Sequence, residues 1–199
     1  MARPRMFDEE RALDAAMRAF WVNGYEATST QDLCEATGLG RSSIYNTFTS
    51  KHALFQRALV RYIDSMTGLQ LGILGEVERP PLERMEALFA CVIDQEYEHR
   101  QDGRGIGCLT VNTTVELAAR DREVEDVLAR DLEVRLAALR AVIEEGRRAG
   151  DITGDRDPDA LARFVNAVIG GMRVSGQAGA DRAALEAIAA TTLDALRSR

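Results

Sequence analysis

The side chains best suited to covalent or metal chemistry are few. Two histidines, His52 and His99, and three cysteines, Cys34, Cys91 and Cys108, are spread over 199 residues. His99 with Cys91 and Cys108 is the one grouping that suggests a metal site, yet separations of eight and nine residues match no ligand spacing. No GxSxG elbow, phosphate-binding glycine loop or HExxH pair occurs. The expectation is therefore a protein that is not an enzyme and carries no metal or cofactor. Hydrogen-bonding chemistry, by contrast, is concentrated in one stretch, TSTQDLCEATGLGRSSIYNTFTSK, from Thr28 to Lys51. Its spacing predicts a short helix over 30–37, a turn at Gly38-Leu39-Gly40 and a second helix over 41–48. Two helices joined by such a turn form a helix-turn-helix.

In that arrangement Leu33, Ala36, Leu39, Ile44 and Phe48 are expected to close a small core with Phe20, Trp21 and Tyr25. The opposite face of the second helix then carries Arg41, Ser42, Ser43, Tyr45, Asn46 and Thr47. Short hydrogen-bonding side chains plus one guanidinium are what a helix in the DNA major groove needs to meet base edges and phosphates. The same composition also suits a solvated helical corner, and spacing alone does not separate the two.

The elements that must position this stretch are helices. Apolar residues recur at three- and four-residue steps in Leu13–Trp21, Met85–Ile93, Val124–Ile143, Leu161–Met172 and Leu185–Leu196, which makes the class all-α. Punctuation agrees. Pro81 can open a helix, Asp121 and Asp157 are good N-caps, and Gly24, Gly38 and Gly150 suit helix ends. One segment dissents: IGCLTVNTTV, from Ile106 to Val115, is rich in β-branched residues and on propensity reads as a strand.

Composition bounds the rest. With 46% hydrophobic and 29% charged residues the chain is an ordinary folded protein, and its net charge of −7 argues against coating nucleic acid by bulk charge. The first sixty residues are close to neutral, so the acidity lies behind them. There is neither a secretory leader nor an apolar run long enough for a membrane span, which points to the cytoplasm and to reduced thiols.

The segments FWVNGYEATST and DLCEATGLGRSSIYNTFTSKHALF resemble the DNA-binding domain of the TetR family of repressors. The resemblance implies about nine helices, with a helix-turn-helix domain over 1–50 and a ligand-binding and dimerisation domain over 51–199. It further implies a homodimer on a palindromic double-stranded DNA operator. By the same resemblance Thr28, Thr30, Tyr45 and Lys51 touch phosphates and Arg41, Ser42, Ser43 and Asn46 read or flank bases. Independently of it, Arg3 and Arg5 suit a basic N-terminal arm of the kind that adds phosphate or minor-groove contacts. Gly40 stands where many relatives carry a capping side chain. The dimer interface falls on the last two long helices, about 157–175 and 180–197.

The resemblance also makes the middle helices a pocket for a small hydrophobic effector. Its expected lining is Phe89, Val92, Glu96, Cys108, Asn112, Glu116, Phe164, Val168 and Met172, mostly apolar with a few polar groups. Effector binding would then swing the reading heads through the fourth helix, about 51–75. The run Gly107-Cys108-Leu109 is similar to that of the N-ethylmaleimide reductase repressors, in which this cysteine senses electrophiles and oxidants. That likeness replaces the strand over 106–115 by a helix and offers an alternative, a thiol sensor acting through Cys108. The sole lysine is Lys51, in the front part, so no cysteine–lysine partnership is available to the pocket.

Overall fold

The computed structural model describes residues 8–101 and 104–198, so Arg3 and Arg5 lie outside the described residues. These residues form nine α-helices and one small hairpin. Helix α1 (Glu9–Asn23) starts at Asp8, whose carboxylate accepts from the Glu10 and Arg11 amides, and stops at Gly24. Helix α2 (Thr30–Thr37) opens with a reciprocal box in which Ser29 and Asp32 satisfy each other's backbone amides, and it ends at left-handed Gly38. Helix α3 (Arg41–Phe48) follows the Gly-containing turn, and its N-cap Gly40 makes no side-chain cap. Helix α4 (Lys51–Leu74) is capped by Ser50. At about 1.5 Å per residue it is long enough to run from the front of the molecule to the back.

The remaining helices are α5 (Pro81–Glu98), α6 (Leu109–Leu117), α7 (Arg122–Ala149), α8 (Pro158–Gln177) and α9 (Arg182–Leu196). Asp121 and Asp157 cap α7 and α8 as expected, and Pro158 takes the first position of α8. Between α5 and α6 the strands β1 (Arg100–Gln101) and β2 (Arg104–Gly105) pair antiparallel, Arg100 opposite Gly105. No helix among the described residues is long and apolar enough to cross a membrane.

Two apolar cores result. The front core joins Phe20 and Trp21 of α1, Leu33 of α2, Ile44 and Phe48 of α3, and Leu54 to Tyr62 of α4. It also takes in Ile106, Leu109 and Leu117 around α6, and Val124 and Leu128 of α7. The back core is made by α5, α7, α8 and α9, with Met85, Phe89, Val92, Ile143, Val165, Met172 and Leu185 sealed inside. α6 therefore belongs to the packing of the front part although it follows it by some sixty residues. The segment whose propensity reads as strand is helical from Leu109 onward because Leu109, Thr113 and Leu117, at four-residue steps, are its buried side. Tertiary burial overrides a preference worth about 1 kcal/mol at most.

Candidate nucleic-acid interface and interior cavity

α3 presents a polar outer face because its other side is buried. Ile44 and Phe48 enter the front core, leaving Arg41, Ser42 and Asn46 exposed with Ser43 and Tyr45 half-buried beside them. Tyr45 is held by the hydroxyl of Thr30, 3.0 Å from its phenol oxygen, and the Arg41 guanidinium lies 5.7 Å from its ring centre. The Thr30 hydrogen bond, assisted by Arg41, draws the phenol below its ordinary pKa. Lys51 opens α4 with its ammonium 4.4 Å over the Tyr25 ring and 3.5 Å from the Glu26 carbonyl. Thr30, Arg41, Tyr45 and Lys51 are thus fixed by neighbours while keeping hydrogen-bonding capacity toward solvent.

Two expectations fail here. Thr28 is completely buried, and its hydroxyl donates to the Gly24 carbonyl at 2.5 Å, so it closes the turn after α1 and cannot meet a phosphate through its side chain. Ala36 is exposed and lies outside the core, whereas Leu39 packs at the core edge.

Behind the front core, α4, α6, α7 and α8 surround a cavity of about 400 Å³. Its wall is aliphatic along Met66, Val111, Leu128, Leu132 and Ile169, and polar at Tyr62, Gln70, Cys108, Thr110, Asn166 and Arg173. Of the expected lining only Cys108 is there. Phe89, Val92 and Met172 are sealed in the back core, with Val168 packed against it, because α5 and α8 turn those faces toward each other and α9. Phe164 points outward and is 43% exposed. Asn112 is used by its own turn, its amide donating to the Ile106 carbonyl at 3.3 Å. Glu96 is buried in an ion pair with Arg173, and Glu116 faces away from the cavity toward α1.

Chemistry at the cavity's inner end follows from those neighbours. Cys108 is the N-cap residue of α6, and its sulfur is 2.9 Å from the Thr110 hydroxyl. Arg173, 5% exposed, donates to Glu96 Oε1 at 2.8 Å and also bonds Gln95 Oε1. Burial opposes its charge, but the hydrogen-bonded Glu96 carboxylate offsets that and keeps it protonated. Tyr62 is 2% exposed, and burial pushes its phenol well up, so it is a neutral donor at any ordinary pH. Sequence reasoning misses both Arg173 and Tyr62. The signal available for Arg173 is a charged residue one position after Met172 in an otherwise apolar helix stripe.

α6 is fastened at both ends to α1 and the turn that follows it. The Trp21 indole donates to the Gly107 carbonyl at 2.9 Å, just before Cys108. Near its C-terminal end, the Glu116 carboxylate accepts the backbone amides of Tyr25 at 3.0 Å and Glu26 at 2.8 Å. Further along, His52 of α4 meets the α7 cap Asp121 at 2.6 Å.

Residues 12–58 match the family described as bacterial regulatory proteins, tetR family, and residues 81–192 match the tetracyclin repressor-like C-terminal domain. The HTH-type transcriptional repressor ComR of Escherichia coli (strain K12) is 33% identical over 191 residues, covering 96% of this chain and 90% of its own. The HTH-type transcriptional repressor DhaR of Mycobacterium sp. (strain GP1) is 29% identical, covering 78% and 75%. Among solved structures, a cysteine mutant of the TetR family regulator CifR complexed with 26bp double-strand operator DNA superposes with a TM-score of 0.83 at 29% identity. That match covers 98% of this chain and 100% of the other. Reduced NemR of E. coli gives a TM-score of 0.83 at 20% identity over 96% and 97%, a likeness of fold alone.

Proposed function

Because the chain belongs to the TetR family of transcriptional regulators, we propose that it is a cytoplasmic repressor that binds a palindromic operator as a homodimer and is released by a small hydrophobic effector. Residues 1–50 read DNA, and residues 51–199 sense and dimerise. Arg41, Ser42, Ser43 and Asn46 face bases, while Thr30, Tyr45 and Lys51 hold phosphates. Dimerisation is supported by the outer faces of α8 and α9, where Phe164, Ala167, Gly171 and Val174 lie exposed on one helix and Ala183, Ala187 and Ala190 on the other. Two reading helices must reach successive major grooves about 34–36 Å apart, which a single chain cannot do.

The observation that carries the ligand-responsive part is the double duty of α6, one face on the cavity and both ends bonded to the reading head. A molecule that displaces α6 pulls on α1 and its following turn as well as on α4. The response is bounded by the effector's differential affinity for the two states. A gel shift on the DNA upstream of its own gene, at fixed salt, tests the reading. Binding should be lost in the Tyr45→Ala, Lys51→Ala double variant, and unchanged affinity in that variant refutes the assigned face.

A thiol-sensing reading is favoured by one feature, the exposure of Cys108 to the cavity at the start of α6 and within the field of Arg173. Cys91 is a poorer nucleophile because burial raises its pKa. In this reading the Cys108 thiolate adds to an electron-poor carbon, forming one S–C bond while the substrate's adjacent carbon takes up a proton. Operator release by an electrophile that persists in Cys108→Ser rules it out.

A further inference from the structure

We infer that the effector is an oxygen-acceptor amphiphile, a short aliphatic chain ending in a carbonyl or carboxylate, seated with that oxygen toward Tyr62; this rests on the cavity between α4, α6, α7 and α8 being the effector site. The decisive feature is which polar groups the protein has already consumed. Glu96 is taken by Arg173 at 2.8 Å. Its other oxygen packs against Gly176, where an added Cβ would come within 2.6 Å of it, and has no hydrogen-bond partner among the described residues. Asp131, 5% exposed, is taken by the Thr67 hydroxyl at 2.7 Å and by Arg135 at 3.0 Å. Each buried carboxylate is therefore paired with a guanidinium, and two charge-neutral ion pairs stand beside the cavity. The carboxylate on the lining itself, Glu125, is exposed at the rim, where water weakens its field.

Besides Gln70, Thr110 and Thr114, which can both donate and accept, the polar lining includes Tyr62 and Asn166. Tyr62, 2% exposed, lines the cavity, and its phenol stays protonated in its buried setting. Its polar neighbours there are the Leu109 amide, itself a donor, and the Cys108 thiol, a weak acceptor. Asn166 accepts from Arg135 through its carbonyl oxygen, which leaves its N–H groups to face the cavity. An incoming oxygen can accept from Tyr62 and Asn166, whereas an incoming ammonium would be desolvated with no unpaired carboxylate inside the cavity to meet it, since Glu96 and Asp131 are already paired with guanidiniums. The wall of Met66, Val111, Leu132 and Ile169 suits an alkyl body. At about 30 Å³ per water-sized group, a cavity of about 400 Å³ holds roughly a dozen non-hydrogen atoms.

The test is calorimetric titration of the purified full-length protein with three probes of equal chain length: methyl hexyl ketone, octanoate and octylammonium. The ketone or octanoate, or both, should bind saturably, with octylammonium at least about tenfold weaker. Whichever of the first two binds tighter separates a neutral carbonyl from a free acid. Tyr62→Phe should weaken the better probe about three- to tenfold, as loss of one neutral hydrogen bond predicts. Gly170→Leu, at a cavity position where an added Cβ meets nothing within 4 Å, should abolish binding by filling the space. Octylammonium binding as tightly as the others and lost in Gly170→Leu keeps the site but overturns the ligand class. Unchanged affinity in Tyr62→Phe overturns the assigned orientation. If no probe binds, the cavity is not the effector site and the inference falls with that reading.

Discussion

Glu116 and Tyr25 are separated by 91 positions in the chain and joined by a 3.0 Å hydrogen bond from the Tyr25 amide to the Glu116 carboxylate. The neighbouring amide of Glu26 completes the grip. Gly24 makes room for it: φ is +81°, and a Cβ there would lie 3.1 Å from the carboxylate oxygen. A carboxylate of α6 thus fixes the backbone from which Ser29 and Thr30 start the second helix.

Glu116→Ala should cost about 1–3 kcal/mol, the range for removing charge-assisted hydrogen bonds at a partly exposed site. Urea denaturation measures that change. The more telling readout is coupling: cavity binding should persist in the variant while its effect on operator affinity shrinks. Gly24→Ala should destabilise by a similar amount, about 1–3 kcal/mol, through a backbone conformation that only glycine adopts readily.

On DNA the two kinds of interaction separate by salt. Lys51→Ala should weaken binding to every sequence alike and reduce the slope of log K against log salt by about 0.9 for each phosphate that is no longer neutralised. Asn46→Ala should instead relax discrimination at a base pair by about 1–3 kcal/mol and leave the slope unchanged. Titration of operator and scrambled DNA at several salt concentrations distinguishes them.

The helix-turn-helix is readable because its signals are local. Ser29 with Asp32, Gly38, and the spacing of Leu33, Ile44 and Phe48 fix the two helices to the residue. The cavity is not, because periodicity identifies the apolar face of a helix and is silent on whether that face meets another helix or an opening. Phe89, Val92 and Met172 look the same on paper whether they line a pocket or fill a core. Glu116 illustrates the other failure. It shares α6 with the cavity-lining residues Thr110, Val111 and Thr114 but bonds on another side, and a rotation of about 100° per residue decides between ligand and hinge. Cys108 reaches its place at the cavity through family resemblance alone, since its β-branched surroundings argue for a strand.

The buried pair of Arg173 and Glu96 should behave as a unit. Arg173→Met leaves the Glu96 charge alone in the interior and is expected to cost about 3–5 kcal/mol. Combining it with Glu96→Gln should recover much of that cost. Thermal and urea unfolding of the two single variants and the double variant measure the coupling, and additive effects would mean that the two charges do not interact.

Acid stability should depend on the pairing of His52 with Asp121. Partial burial alone would raise the Asp121 carboxyl, but the Val124 amide and His52 overcome it and hold the group below its ordinary 3.8. A depressed carboxyl contributes stability in full above its unfolded value and loses it as pH falls through the folded one. Asp121→Asn, which keeps the helix cap, should therefore be less stable than the parent at about pH 6, with the gap closing as pH falls below 3.8 toward the folded value. Urea midpoints across that range give the answer, and a gap that stays constant would assign the stabilisation to something other than this charge.

Trp21 is the sole tryptophan, and its indole is hydrogen-bonded to the residue immediately before Cys108 while its ring packs edge-on against Tyr62 at 4.8 Å. The joint between α6 and the front helices therefore carries its own optical label. Emission wavelength, quenching and anisotropy of the unmodified protein all report on a single place, so shifts of α6 relative to α1 can be timed by stopped flow without attaching a dye.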